Sequence, residues 1–227
     1  MPAKNIVKIY QPQSYYHLYN RGVNKEEIFL DYKDYKTFLG YLKFYLTLPN
    51  LQGSTLKVSP SRNLKNYFQK LKLLAYCLMP NHFHLMVYQE EADGINFFMR
   101  SLATKYSMYF NRVHQRVGHV FQGIYKAVNI TSEEQFLYLS KYIHRNPIEI
   151  LPIGINLEGY QYSSYGNYLR VFYQSWVEPE EILSYFSRRK YDNSYKEFVD
   201  EFEERDAFKV KDIVIEDDLQ GWTLKVS

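Results

Sequence analysis

Two histidines separated by a single residue, His82 and His84, are the first place where this sequence could do chemistry. Phe83, Leu85 and Val87 alternate with His82, His84, Met86 and Tyr88, which predicts a strand with both imidazoles on one face. Residues two apart on a strand sit about 7 Å apart, so the pair offers two neutral nitrogens to one divalent cation from a rigid base. The same pair could equally be packed or water-exposed side chains. A closed structural zinc site suits the chain less, because its single cysteine, Cys77, lies in an apolar run with no second thiol. The H-x-E and P-C-x-x-C patterns of zinc deaminases do not occur. Asn146 could add an oxygen donor, and Tyr142, one helical turn before it, a phenol aimed at a phosphate. A phenolate is a good nucleophile and a fair leaving group, which suits reversible phosphoryl transfer. With 24 tyrosines in the chain, position and not residue type singles one out. Tyr138, one turn before Tyr142, is the rival; Tyr106 and Tyr109 fit the apolar stripe of their own helix.

These groups need elements to hold them. Residues 15–21, between Pro12 and Gly22, suit a strand with Tyr15, His17 and Tyr19 on one face and Tyr16, Leu18 and Asn20 on the other. Tyr35, Phe38, Leu39, Leu42, Tyr45 and Leu46 predict a helix from Asp31 to about Thr47, and the polar residues 49–66 a loop. Leu73 to Met79 and His82 to Tyr88, broken by Pro80-Asn81, predict an antiparallel strand pair. A long amphipathic helix follows Asp93-Gly94 and is expected to end near Gly118. A short extended piece, 120–130, precedes a helix opened by a Thr131-x-x-Glu134 capping box and closed by Pro147. Phe136, Leu139, Ser140 and Ile143 line one side of that helix, Tyr142 lies well round from them, and His144 is expected at the surface. A Tyr-rich segment and an acidic amphipathic stretch from Glu178 to Phe208 complete the chain.

Composition narrows the partner. With 46% hydrophobic and 23% charged residues the chain is globular, which excludes a disordered, collagen-like or coiled-coil chain. No run approaches the length of a membrane span and no apolar leader opens the sequence, so with its one cysteine the chain reads as cytoplasmic. Residues 1–150 hold 19 Lys and Arg against 10 Asp and Glu; residues 151–227 hold 9 against 15. A basic body rich in tyrosine suits a phosphate-bearing partner with unpaired bases, and composition alone suits a merely solvated basic surface as well. The charge reversal motivates the expectation that an acidic tail covers the binding groove when no substrate is bound.

Four stretches, taken together, carry a resemblance: Tyr16-His17-x-x-Asn20-Arg21-Gly22; Cys77-Leu-Met-Pro-Asn-His82-Phe-His84-Leu; Tyr109-Phe-Asn-Arg112 with Gly118-x-x-Phe121-Gln-Gly-x-Tyr125-Lys126; and Tyr142-Ile-His-Arg-Asn146-Pro147. In this order over about residues 12–170 they resemble the HUH single-tyrosine transposases (IS200-like), and most closely the REP-associated tyrosine transposase branch, as does Tyr162-Ser-Ser-Tyr165. One departure is Ile124 before Tyr125, where that branch usually carries Arg; it weakens one expected phosphate contact, for which Lys126 could substitute.

The resemblance implies an α+β fold, a ferredoxin-like or RRM-like antiparallel sheet with helices packed on one face and a C-terminal helical extension. Residues 1–150 would be the catalytic domain and 151–227 the extension packed on it. His82, His84 and Asn146 would bind Mg²⁺ or Mn²⁺, and Tyr142 would attack single-stranded DNA beside a hairpin, leaving a 5′-phosphotyrosine link and a free 3′-hydroxyl. Candidate nucleic-acid contacts are Arg21, Arg112, Arg116, Lys126 and Arg145. The alternative is an RRM-like module that binds hairpins or single strands without cutting. Either works as a monomer or homodimer, with no membrane partner.

Overall fold

The computed structural model describes residues 10–48, 65–152, 155–186, 194–201 and 203–214. Most of the loop expected at 49–66 lies outside them. Strand β1 (Ser14–Arg21) leads to α1 (Tyr32–Leu46), β2 (Leu71–Met79), β3 (His82–Gln89), α2 (Gly94–Val113) and β4 (Lys126–Ile130). The four strands pair antiparallel in the order β2-β3-β1-β4. This is the ferredoxin-like arrangement expected, with β3 and β1 central. Helix α3 (Glu133–Arg145) follows, then the short helices α4 (Tyr165–Tyr168), α5 (Glu180–Leu183), α6 (Tyr195–Asp200) and α7 (Glu204–Val210). The single acidic stretch expected to be helical is thus several short pieces.

The alternation of the central strands builds two cores. Leu18, Phe83, Leu85 and Val87 point to one face, where α1 and α2 cover them with Phe38, Leu42, Phe98 and Leu102. On the other face Ala75, Cys77, Met86 and Ile130 pack under α3 and the C-terminal helices, with Leu139, Ile143, Val199 and Val210. Helices on one face were expected; α1 and α2 meet that, and α3 adds a layer on the opposite face. A fully buried Leu or Phe contributes roughly 1.5–3 kcal/mol, so each face is a substantial core. Among the described residues no helix is long and apolar enough to cross a membrane.

Local signals set the ends. Asp31 caps α1 by accepting from the backbone N–H of Lys33 and Asp34. The N-cap of α3 is Ser132, one residue after the expected Thr131, and its hydroxyl accepts from Gln135 N at 3.1 Å. Gln135 Oε1 reaches back to accept from Thr131 N at 3.0 Å, so the reciprocal cap forms with Gln135 in place of Glu134. Helix α2 ends at Val113, earlier than Gly118, and His114 at its end ties back to buried Asp34 at 3.0 Å.

The many phenols are reconciled with burial by backbone carbonyls. Tyr106 Oη donates to Ile28 O (2.5 Å), Tyr160 to Leu78 O (2.6 Å) and Tyr168 to Leu74 O (2.9 Å). Others, such as Tyr32 and Tyr173, face solvent.

Helix α3 is buried nearly all round from Leu139 to Arg145 because it lies between the sheet and the C-terminal helices. His144, expected at the surface, is fully buried and hydrogen-bonded to Tyr195 Oη at 2.6 Å and Ser164 Oγ at 2.7 Å. Burial pushes its pKa down from 6.5 to about 3. The unfolded chain therefore takes up this proton first as pH falls. The stabilisation from a neutral His144 is full above pH 6.5 and is lost on acidification toward pH 3, by up to about 1.4 kcal/mol per pH unit. The His144 ring protons in NMR are expected not to titrate between pH 8 and pH 4.5; a midpoint near 6.5 would contradict this burial.

Candidate functional site

The turn between β2 and β3 consists of Pro80 and Asn81 alone, and the loop after β1 clamps it. Pro80 O accepts from Ile28 N (2.8 Å) and Phe29 N (3.0 Å), and Gly22 N donates to Asn81 O (2.8 Å). A Cβ on Gly22 would stand 2.0 Å from Glu26 O, so only glycine allows this approach. The clamp fixes His82, the first residue of β3, at the mouth of the site.

From there the donors can be followed atom by atom. Asn81 Nδ2 donates to Lys25 O at 3.2 Å, which turns Asn81 Oδ1 toward His82 Nδ1 at 2.6 Å. That oxygen only accepts and is the closer of the two amide oxygens that flank the ring, which favours the His82 proton on Nδ1 and leaves the Nε2 lone pair toward Asn146. His82 Nε2 lies 3.1 Å from Asn146 Oδ1. Two acceptors facing each other at this distance suit a shared cation.

Asn146 follows the last residue of α3 and still donates its backbone N–H to Tyr142 O, so the one-turn spacing of the two holds. His84 lies beyond His82, with ring centroids 4.9 Å apart. The Tyr142 ring meets the His84 ring edge-on at 5.2 Å and the His17 ring at 6.2 Å. Tyr142 and His84 are fully buried; His82 and Asn146 are nearly so. Among the described residues no three His, Cys, Asp or Glu side chains form a metal cage. A cation here would rest on two imidazoles and the Asn146 amide oxygen, with water or phosphate oxygens completing its shell. Mg²⁺ and Mn²⁺ accept such a mixed, oxygen-rich set, and the donors fit in that sense.

The structure thus brings His82, His84, Asn146 and Tyr142 together. Tyr138 instead packs on Phe198 and under the Lys209 ammonium, away from the imidazoles. Arg21 is paired with His82 across β1 and β3, and Lys126 with Tyr19, which is in turn paired with His84. Paired residues share a sheet face, so both cations lie on the histidine face. Arg112 is exposed at the end of α2, which packs on the other face, and Arg116 near it pairs with Glu26 at 2.7 Å. Arg145 is buried, and its guanidinium donates to Val199 O (2.5 Å) and Asp200 O (3.0 Å), which ties it to the C-terminal helices.

Residues 59–146 match the family described as Transposase IS200 like. It is the family that the motifs resemble, and the matched stretch runs through His82, His84, Tyr142 and Asn146. No curated protein matches the chain. Among solved structures, one described as a REP-associated tyrosine transposase bound to a REP hairpin is similar at a TM-score of 0.51. The alignment covers 78% of this chain and 98% of that one at 13% identity, and shows a shared fold.

Two groups of interactions at this site are not visible in the sequence. One is His17, read only as a member of a strand face: its Nε2 lies 2.9 Å from His84 Nδ1. The other is a buried ion pair, Lys141 Nζ to Asp206 Oδ2 at 2.8 Å, joining α3 to α7 beside Tyr142. Burial lowers the Lys141 pKa, and Asp206 opposes that shift. Both partners are buried, so removing one strands the other. Asp206→Ala is expected to cost about 3–5 kcal/mol in urea unfolding. Adding Lys141→Met to that variant should recover most of the loss, and failure to recover it would show that Asp206 acts through something other than Lys141.

Proposed function

We propose that this protein is a metal-dependent single-stranded DNA endonuclease and strand transferase that cleaves beside DNA hairpins, with residues 1–150 as its catalytic part. The observation that carries the reading is the convergence of Tyr142, His82, His84 and Asn146 in one place, from two strands' turn and a helix far apart in sequence. The family match supports transposase chemistry. The solved neighbour of the same fold is described as bound to a REP hairpin, which supports hairpin DNA as the substrate class.

In this reading His82 and His84 through Nε2, and Asn146 through Oδ1, would hold Mg²⁺ or Mn²⁺. The ion, when bound, would polarise the scissile phosphate as a Lewis acid. Tyr142 Oη attacks phosphorus, the bond from phosphorus to the 3′-oxygen breaks, and that oxygen leaves as a 3′-hydroxyl, taking up a proton while the tyrosine loses its own. The DNA 5′ end is then held as a phosphotyrosine ester whose reactivity is retained for rejoining. Arg21 and Lys126, on the histidine face, neutralise backbone phosphates and steer the strand to Tyr142. Because Tyr142 is fully buried, attack requires the side chains that cover it to give way to DNA.

The test is a covalent adduct. Purified protein incubated with single-stranded hairpin oligonucleotides from sequence flanking its own gene should give a denaturation-resistant protein–DNA species with Mn²⁺ and none with chelator. Tyr142→Phe should abolish it. Asn146→Ala should lower its yield by 10-fold or more. Tight hairpin binding without any adduct would favour the non-cutting module, and an adduct that survives Tyr142→Phe would move the nucleophile elsewhere.

A further inference from the structure

His17 is not among the metal donors, yet it is fully buried beside them with both ring nitrogens engaged by protein atoms. It lies on the same face of β1 as Tyr19, and its ring stacks on that of His84 with centroids 5.1 Å apart and planes 22° from parallel. His17 Nδ1 is 2.5 Å from the carbonyl oxygen of Ile213, in the turn after α7. His17 Nε2 is 2.9 Å from His84 Nδ1.

The chemistry of these contacts orders the protons. A carbonyl oxygen can only accept, so the nitrogen facing Ile213 bears the hydrogen. A neutral imidazole has one such hydrogen, so His17 Nε2 is an acceptor and the hydrogen bond to His84 must be donated by His84 Nδ1. That places the His84 lone pair on Nε2. The relay from Ile213 O through His17 to His84 gives the second imidazole the tautomer that Asn81 gives the first.

We infer that His17 is a positioning residue for the metal site: it holds His84 in the Nδ1–H tautomer, with its own proton set by the Ile213 carbonyl of the C-terminal extension. This rests on the metal reading above and deepens it. It makes the extension a partner in presenting the donor set, through a backbone atom that no side-chain substitution at residue 213 removes. Such outer contacts to a ligating imidazole typically change metal affinity by about 10- to 100-fold.

The experiment uses the full chain. Nitrogen-15 NMR of the metal-free wild type reads which nitrogen of His17 and of His84 bears hydrogen, and Nδ1–H is expected for both. Titration with Mn²⁺ alone then compares wild type with His17→Leu, which removes the acceptor, and His17→Gln, which can place Oε1 where Nε2 stands. His17→Leu should lose the single His84 tautomer and bind Mn²⁺ about 10- to 100-fold more weakly, while His17→Gln stays within about threefold of wild type. Finding His84 as Nε2–H in the wild type would overturn the assignment and needs no variant to fold. Unchanged Mn²⁺ affinity in His17→Leu would overturn it too, and so would equal losses in both variants, which mark a packing role. A wild type that binds no Mn²⁺ would instead sink the metal reading, and the role of His17 with it, while the tautomers still report the relay itself.

Discussion

The antiparallel pairing of β1 with β3 is the constraint on which the rest of the molecule depends. Its register sets Tyr19 opposite His84 and Arg21 opposite His82, and a strand's side chains alternate strictly between faces. A slip of one residue would carry His17, Tyr19 and Arg21 to the face of α1 and α2 and bring Tyr16, Leu18 and Asn20 against the imidazoles. The slip is costly because both faces are buried: Leu18 and Leu85 are fully enclosed on one side, Met86 and His84 on the other. The apolar alternation that makes the core therefore also holds the site in register.

A second consequence of burying both faces is the character of α3. An amphipathic helix on a sheet normally keeps its outer side in water. Here the C-terminal helices cover that side, so Lys141, His144 and Arg145 are interior polar groups. Each is matched: Lys141 by Asp206, His144 by Tyr195 and Ser164, Arg145 by the carbonyls of Val199 and Asp200. Unmatched, each would cost several kcal/mol. The matching ties the position of Tyr142 to residues 164–206, since the helix cannot shift without breaking these bonds.

The strands, α1 and α2 were legible in the sequence, because period-two alternation and three-and-four spacing are local properties; the meeting of His82 and His84 with Tyr142 and Asn146 followed only from the resemblance of the motifs taken together. What escaped was pairing at a distance. The stripe of Phe136, Leu139 and Ile143 identified one buried side of α3, but nothing nearby announced that its polar side would be covered as well. His144, expected at the surface, is therefore found buried. The cap moved from Thr131 to Ser132 because adjacent hydroxyl residues compete for the same role, and Gln135 serves as well as Glu134. The contact of His17 with His84 depends on which strands neighbour each other and in which register, and neither can be read from β1 alone.

The two imidazoles are oriented by different kinds of contact. His82 is set by its own neighbour, Asn81, whose amide is held by Lys25 O in the loop after β1, so its orientation needs that loop docked on the β2–β3 turn. His84 is set through His17 by Ile213 O, 196 residues from His17 along the chain. The first arrangement depends on the clamp between the loop after β1 and the turn, and survives any rearrangement that spares both. The second exists only when the last turn after α7 is docked. Loss of that docking would leave His17 Nδ1–H without its carbonyl and allow the pair to exchange tautomers, while His82 and its contact with Asn146 stayed as they are. The donor set is thus held by two different parts of the chain, and the half that depends on the C-terminal extension is His84, whose ring meets Tyr142.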